Sequence, residues 1–221
     1  MFGSNSPLIK VSLLSLDASS LVLNINTADD VQMDGSRCEL IDINDFYPIF
    51  EDDFESYPNY SSLNGNGWTN YIEAGSRDWF VRISNDNQNS GSKMVSLGSY
   101  QTGDSSTIAW LITPAIDLDA QGVEFAKFKS SNSFADSSEL ELLISTDWDG
   151  TEATIESSSW NALNANIVSD GVFYQNWVDS GLVDLSLFSG NAYVAFKYIG
   201  SGQSSFDGTY EIDDFKVLIQ N

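Results

Sequence analysis

The sequence contains no histidine, and this absence excludes several kinds of chemistry at once. Ser-His-Asp and Cys-His catalysis, the usual zinc sites and the usual proton shuttle all depend on an imidazole. The single cysteine, Cys38, can form neither an internal disulfide nor a cluster of thiolate ligands. Chemistry that uses carboxylates alone is still possible.

Positive charge is also scarce, with 9 Lys and Arg against 32 Asp and Glu and a formal net charge of -23. Such a surface argues against binding to nucleic acid and against binding to an anionic bilayer by charge. It suits a secreted protein or a calcium-rich setting. We therefore expect an extracellular or cell-surface protein with no nucleic-acid partner.

Long apolar runs are missing as well. No run of about 18 apolar residues is present, so no membrane insertion is expected. The segment from Leu8 to Leu23 is rich in Leu and Val but is interrupted by Lys10 and Asp17, and it has no basic leader. This segment does not have the pattern of a signal peptide, so an export signal, if one exists, is expected outside this sequence.

What the sequence does contain is a strong β pattern in a chain with 42% hydrophobic residues. Apolar residues alternate in three segments, with Trp79, Val81 and Ile83, with Ile108, Trp110 and Ile112, and with Val194, Phe196 and Tyr198. No long segment has a 3.6-residue period, and only Ser158 to Asn164 is expected to form a short helical turn. The fold class predicted is all-β, an antiparallel jelly-roll β-sandwich with additional N-terminal strands.

A domain boundary is expected near Tyr47-Pro48, which divides the chain into residues 1–48 and 49–221. The first part is predicted to hold three strands, Leu8 to Leu16, Leu21 to Ile25 and Cys38 to Ile43. It is small for an independent core, so it is either the tail of a preceding domain or a set of extra strands on the sandwich. The second part is the predicted jelly roll.

Two acidic motifs with aromatic neighbours lie near the two ends of the jelly roll, at Phe50 to Glu55 and Tyr210 to Phe215. Carboxylates among core hydrophobes are costly unless a cation lies between them, and calcium takes six to eight oxygen ligands. We expect calcium ligands among four acids: Asp53, Glu55, Asp213 and Asp214. The alternative is that these acids lie on the solvent face of edge strands.

Adjacent residues of a strand face opposite ways, so at most one of Asp213 and Asp214 should bind the ion unless a bulge intervenes. A second acidic loop has Asp147, Asp149, Gly150 and Glu156 at spacings that resemble a calcium loop. A tight turn at Asp149-Gly150 is the favoured interpretation of that loop.

Sugar binding would need exposed aromatic rings, because the CH face of a sugar packs on a ring. Trp148 lies between two aspartates and is expected to be exposed, and Tyr60 and Tyr174 are further candidate ligand-binding residues. The other tryptophans are expected in the core, namely Trp68, Trp79, Trp110, Trp160 and Trp177.

A hydrolase is the catalytic alternative, because jelly rolls include glycosidases that work with two carboxylates. Glu211-Ile212-Asp213 begins the Glu-x-Asp-x-x-Glu pattern of laminarinase-type enzymes. Lys216 stands where the acid/base glutamate of that pattern should be, so the match fails at an essential position.

From Phe50 onward the order of motifs resembles the cleaved-adhesin or choice-of-anchor J domains of Bacteroidetes surface and secreted proteins, over about residues 50–221. The motifs that carry the resemblance are Phe54-Glu55, Gly67-Trp68, Trp79, Trp110 to Leu118, Ser145 to Gly150, Trp160, Asp184 to Ser186 with Gly190, and Ile212 to Val217. The resemblance implies a jelly roll related to MAM-like and galactose-binding-like modules. It also implies adhesion or recognition of carbohydrate or protein, and in some members structural calcium.

The function expected from the sequence is therefore a noncatalytic extracellular binding or adhesion module. Its partner would be a carbohydrate or an extracellular protein, and it would act as a monomer or as part of a larger multidomain chain. Two other functions are left open: a glycan-active hydrolase that uses Glu211 and Asp213, and a structural spacer domain of a secreted protein.

Overall fold

The structure, a computed structural model, describes residues 46–86, 88–120, 122–134, 136–169 and 176–220. These residues form two antiparallel β-sheets and one 3₁₀ helix, so the predicted jelly-roll sandwich is confirmed. The three N-terminal strands expected between Leu8 and Ile43, and with them the nature of the segment 1–48, lie outside the described residues. In the described part of the chain no helix is long and apolar enough to cross a membrane.

The strands are numbered in chain order. They are β1 (Phe46–Asp52), β2 (Ser61–Ser62), β3 (Thr69–Ala74), β4 (Phe80–Ile83), β5 (Lys93–Gly98), β6 (Thr107–Ile112), β7 (Ile116–Asp117), β8 (Glu124–Ser133), β9 (Glu139–Ser145), β10 (Asn161–Ala162), β11 (Val178–Asp179), β12 (Val183–Asp184), β13 (Asn191–Gly200) and β14 (Thr209–Gln220). The larger sheet has the order β11-β8-β14-β5-β4-β2, with β1 on β14 and β12 on β8. The smaller sheet has the order β10-β9-β13-β6-β3, with β7 on β13.

The main core fills the space between the two sheets. Val194, Phe196 and Tyr198 of β13 all point into it, as their two-residue alternation predicts. Phe196 packs edge-on against Phe128 of the larger sheet, with ring centroids 4.9 Å apart. Edge-to-face packing is a preferred arrangement of aromatic rings, and here it joins the two sheets.

Strand β6 buries both of its faces, which the sequence pattern alone does not show. Ala109 and Leu111 point into the main core, whereas Trp110 and Ile112 belong to a second hydrophobic cluster. Because successive side chains of a strand point to opposite faces, the second cluster lies on the outer face of the smaller sheet.

The first and last strands of the sandwich are neighbours, with β1 pairing antiparallel to β14 from Phe46 opposite Gln220 to Asp52 opposite Phe215. Strand β14 pairs with β5 over its first half and with β1 over its second half. The register of β14 on β8 shifts between Asp213 and Lys216, and Asp214 has φ +53°. This bulge marks the point where β1 replaces β5 as the neighbour of β14.

The expected helical turn at Ser158 to Asn164 is wrong. A 3₁₀ helix forms earlier, at Glu152–Ser157, and Asn161–Ala162 is the short strand β10 beside β9. Asn161 and Ala162 lie opposite Ile144 and Leu143, so pairing with the sheet replaces helical hydrogen bonding there.

Candidate functional site

The second cluster is rich in aromatic rings. Trp160 packs against Trp110 and Trp148 with centroid distances of 5.2 and 5.9 Å, and Trp148 packs on Tyr193 at 4.5 Å. Trp110 and Trp148 are buried, while Trp160 is partly exposed. The outer face of the smaller sheet therefore presents an aromatic surface with Trp160 at its edge.

Strand register places a row of four side chains across this face. Tyr71 of β3, Trp110 of β6, Lys197 of β13 and Glu141 of β9 lie opposite one another in turn. Directly opposite residues share a face, so the row runs from two aromatic side chains, Tyr71 and Trp110, to two charged ones, Lys197 and Glu141.

A bulge in β3 between Ile72 and Ala74 adds Glu73 to this row. The Trp110 Nε1–H donates to Glu73 Oε2 at 2.8 Å, and Lys197 Nζ lies 3.5 Å from the same oxygen. Lys197 Nζ is also 4.4 Å from the Trp110 ring centroid, which is a cation–π contact. Glu73, Trp110 and Lys197 thus hold one another in place.

Together these groups enclose a cleft of about 540 Å³. The residues that line it are Glu73, Trp110, Glu141, Leu143, Ile155, Glu156, Ser158, Trp160, Ala162 and Lys197. Tyr71 donates its hydroxyl to Glu156 Oε1 at 2.7 Å, and this hydrogen bond raises the pKa of Tyr71 above its ordinary value. We name this the Trp160 cleft. It combines one accessible indole with several carboxylates and one ammonium group.

The prediction that Trp148 is an exposed platform is wrong, because its side chain is 5% exposed. Its ring packs on Tyr193 and its Nε1–H donates to Thr151 O at 2.8 Å. The flanking aspartates face solvent, so the polar neighbours indicate the exposure of the loop and not that of the indole. Trp160, expected in the core, lines the cleft together with Trp110 and is the more exposed of the two.

The acidic loop around Trp148 is organised by its own hydrogen bonds. Asp147 Oδ1 accepts from Ser145 Oγ and Ser159 N, and Asp149 Oδ1 accepts from the hydroxyls of Thr151 and Thr154. These bonds lower the pKa of both aspartates. Gly150 has φ +84°, as a tight turn requires, which agrees with the favoured interpretation of this loop.

The other two predicted ligand-binding residues lie away from the Trp160 cleft or cannot be placed. Tyr60 is 67% exposed, and it lines a separate cleft on the outer face of the larger sheet. Tyr174 lies outside the described residues.

Two of the four predicted calcium ligands come together at one hydroxyl group. Ser92 Oγ is 2.9 Å from Glu55 Oε1 and 3.1 Å from Asp213 Oδ2. Asn89 Nδ2 also donates to Asp213 Oδ2, at 2.6 Å, and the Lys93 N–H donates to Glu55 Oε1 at 2.8 Å. The loop between β4 and β5 therefore joins the two carboxylates.

The other two predicted ligands have different partners. Asp53 Oδ1 accepts from the Glu55 N–H at 3.1 Å, and Asp214 Oδ2 pairs with Lys129 Nζ at 2.6 Å. The bulge puts Asp214 on the exposed side of the strand while Asp213 is 1% exposed. Within the described residues no group of three or more His, Cys, Asp or Glu side chains is arranged to hold a metal ion.

Asp213 is buried without a contacting ammonium or guanidinium group in the described part of the chain. Burial raises the pKa of its carboxyl group to about 6, although Asn89 and Ser92 donate to it and thereby oppose the shift. Oxygen donors from Glu55, Asp213 and Ser92 are the donor type that a hard cation prefers. Two of the four predicted carboxylates, those of Glu55 and Asp213, thus supply oxygens of the type that calcium takes.

The two carboxylates of the hydrolase alternative do not form an open groove. Glu211 and Asp213 are 6% and 1% exposed, and both lie on the outer face of the larger sheet. Asn89 and Ser92 contact Asp213 there, and Asp86 lies near Glu211. Burial and the neighbouring Asp86 carboxylate raise the pKa of Glu211. A sugar has no access to a pair of acids buried in this way.

No family model matches the sequence, and no curated protein matches it. The fold is similar to three solved structures from the Lys-gingipain of Porphyromonas gingivalis. Its K3 cleaved adhesin domain gives a TM-score of 0.52 at 18% identity, over 78% of this chain and 98% of that domain. The K1 domain gives 0.50 at 18% identity over the same shares, and the K2 domain gives 0.50 at 18% identity over 77% of this chain and 99% of that domain. The resemblance expected from the motifs after Phe50 is therefore confirmed for the fold: this chain has the β-sandwich of the cleaved adhesin domains.

Proposed function

We propose that this chain is a noncatalytic extracellular binding module that recognises carbohydrate through the Trp160 cleft. The observation that carries the proposal is the partly exposed Trp160 indole beside the Glu73–Lys197 pair. An indole offers a flat apolar surface to the CH face of a sugar, and the charged groups offer partners to its hydroxyls.

The polar groups of the cleft supply both donors and acceptors. Lys197 can only donate, whereas Glu73, Glu141 and Glu156 can only accept when ionised. Every sugar hydroxyl both donates and accepts, so a wall that mixes these groups can satisfy several hydroxyls of one ring. A volume of about 540 Å³ also lies within the usual range for small-ligand sites.

The fold supports binding rather than catalysis, since the three gingipain structures are named as cleaved adhesin domains. The same names support an extracellular or cell-surface location. Recognition of a surface protein is the second candidate function, because adhesion can be directed at a polypeptide. The concave aromatic surface argues against a spacer without a ligand.

The proposal is tested by binding to an array of neutral and charged glycans. The wild-type chain is compared with Trp160→Ala and with Phe134→Ala, which removes a ring that is 68% exposed outside the cleft. We expect wild type and Phe134→Ala to bind the same glycans and Trp160→Ala to lose roughly tenfold or more in affinity. Binding that survives in Trp160→Ala, or turnover of a bound glycan, would overturn the proposal.

A protein partner gives a different result in the same experiment. In that case no glycan binds, and extracellular matrix proteins bind to wild type and Phe134→Ala but not to Trp160→Ala. That outcome would reject carbohydrate as the ligand and retain the cleft as the binding surface.

The proposal includes a structural calcium ion near Glu55, Asp213 and Ser92. Three features support it: the contact of both carboxylates with Ser92 Oγ, the burial of Asp213, and the lack of a cationic side chain on Asp213 among the described residues. A bound divalent cation would offset the repulsion between the two carboxylates. Its role would be to fix the loop between β4 and β5 against the last strand.

A further inference from the structure

Two of the three arginines of this acidic chain line one cleft. Arg77 lies just before β4 and Arg82 lies within it, and both are exposed. In a chain with 32 acidic residues an arginine is expected to pair with a carboxylate. Neither arginine forms an ion pair with the described residues. Both guanidinium groups therefore lack a contacting carboxylate among the described residues, although the charge of Arg82 also acts on the buried Glu211 carboxyl group.

The cleft has a volume of about 390 Å³ and lies on the outer face of the larger sheet. Strand register places Phe80 of β4 opposite Ser96 of β5, and Gly98 of β5 opposite Thr209 of β14. All four residues line the cleft. Small side chains at Ser96, Gly98 and Thr209 leave a depression in the sheet surface beside the larger Phe80.

Two tyrosines also line this cleft, and both are unusually exposed. Tyr60 and Tyr100 are 67% and 62% exposed. Tyr60 has φ +58°, and its N–H is held by Asn59 Oδ1 at 3.0 Å and Val81 O at 2.9 Å. A bulky residue with a left-handed backbone is uncommon, and such strain concentrates at ligand-binding sites.

From this arrangement we infer that the cleft, which we name the Arg77–Arg82 cleft, binds an acidic saccharide that carries a uronate carboxylate. A guanidinium group presents parallel N–H donors that match the two oxygens of a carboxylate. Tyr60 and Tyr100 provide flat rings for the CH faces of the sugar. The guanidinium groups therefore match the carboxylate of a uronate, and the tyrosine rings match its CH faces.

One carboxylate of the protein also lines the cleft, that of the half-buried Asp78. Two guanidinium groups against this carboxylate give the lining of the cleft one excess positive charge. Glu211 lies outside the lining, and burial raises the pKa of its carboxyl group, which disfavours its charged form. The net charge of -23 repels an anion at long range, but this repulsion is screened beyond about 8 Å at physiological salt. Short-range pairing with the arginines decides whether the anion binds.

This inference goes beyond the proposed function, since the Arg77–Arg82 cleft lies on the other sheet from the Trp160 cleft and takes a ligand of different charge. The two sites can be tested separately. Trp160→Ala should leave the binding of acidic saccharides unchanged, and failure of one site carries no consequence for the other.

The test measures binding by isothermal titration with three tetrasaccharides: tetragalacturonate, a mannuronate tetramer and a hyaluronan tetrasaccharide. Each is paired with its methyl ester, which keeps the rings and removes the carboxylate charge. The variants are Arg77→Gln, Arg82→Gln and Tyr100→Ala. Lys216→Gln is the matched control, because it makes the same change in net charge at a lysine outside the cleft that pairs with Glu51.

We expect at least one acid to bind and its methyl ester to bind at least tenfold more weakly. Each arginine variant should lose about tenfold in affinity, while Lys216→Gln stays within twofold of wild type. Circular dichroism confirms that each variant is folded. The inference would be overturned by no binding of any acid at millimolar concentration, by equal binding of acid and ester, or by equal loss in Lys216→Gln. Equal binding of tetraglutamate would also overturn it, by showing an acidic peptide site.

Discussion

Glu55 and Asp213 contact the same hydroxyl group, Ser92 Oγ, at 2.9 and 3.1 Å. One hydroxyl hydrogen cannot satisfy two carboxylates at once. The contact links the segment after β1, the loop between β4 and β5, and the bulge of β14 at one position. Any cation bound there would cross-link three segments that are far apart in sequence.

Calcium is accordingly expected to raise the melting temperature of the wild-type chain. Binding to the folded state alone stabilises it by about 2.7 kcal/mol at 100 times Kd, or roughly 5–10 °C for a domain of this size. Differential scanning calorimetry in calcium and in EDTA measures the difference. Glu55→Gln and Asp213→Asn should each remove most of the gain.

Asp53→Asn is the matched control for this experiment, because Asp53 belongs to the same acidic motif but points to the Glu55 N–H. It should keep the full calcium effect. An unchanged melting curve of the wild-type chain in calcium and EDTA would refute the site. A loss as large in Asp53→Asn as in Glu55→Gln would instead show that the larger predicted set of ligands is needed.

The sequence predicts the fold well because alternation reports strand faces directly, as in Val194, Phe196 and Tyr198 of β13. It does not show which cluster a strand face joins when both faces are apolar. The pattern around Trp110 therefore does not indicate that its side chain lies on the outer face of the smaller sheet. Ser92 could not be foreseen beside Glu55 and Asp213, because their meeting depends on the register of β14 and on its bulge.

Asp52 is expected to be a critical buried acceptor. Its Oδ2 accepts from Tyr57 OH at 2.6 Å, Trp68 Nε1 at 2.9 Å and Asn66 Nδ2 at 3.2 Å, and its Oδ1 accepts from the Phe54 N–H at 2.9 Å. Asp52→Ala leaves several buried donors unpaired, so it should lower the free energy of unfolding by about 3–4 kcal/mol. Urea denaturation measures the loss.

Tyr57→Phe removes a single donor from the same carboxylate and serves as the comparison for Asp52→Ala. Burial, with the hydrogen bond to Asp52, raises the pKa of Tyr57, so the hydroxyl remains a donor at neutral pH. Its loss should cost about 1 kcal/mol. If Asp52→Ala lowers the free energy of unfolding by less than Tyr57→Phe does, the role assigned to the Asp52 carboxylate is contradicted.

Glu73 is predicted to support the Trp160 cleft through its two partners. Glu73→Ala leaves Trp110 Nε1 and Lys197 Nζ without their acceptor, and it should destabilise the chain by about 1–3 kcal/mol. Glu73→Gln retains an acceptor oxygen for the indole and should cost less. Thermal unfolding separates the two variants, and equal effects would show that the hydrogen bond to Trp110 contributes little.

Stability in acid is expected to depend on Asp136, which ties the segment between β8 and β9 to the segment before β14. Burial favours the neutral form of this carboxyl group, but hydrogen bonds from Ser138 N and Oγ, Asp207 N and Gly208 N outweigh it and lower its pKa. A carboxyl group with a lowered pKa in the folded state stabilises the fold above its ordinary pKa, and this contribution is lost as pH falls through the folded value. Asp136→Asn should therefore cost about 1–3 kcal/mol at pH 7, because its amide group faces N–H donors, and much less near pH 3. Urea denaturation at pH 7, 5 and 3 tests this, with Asp117→Asn as control, since Asp117 is exposed and accepts from only one backbone N–H. A cost that stays constant across these pH values would refute the ionised carboxylate as the source of the stability.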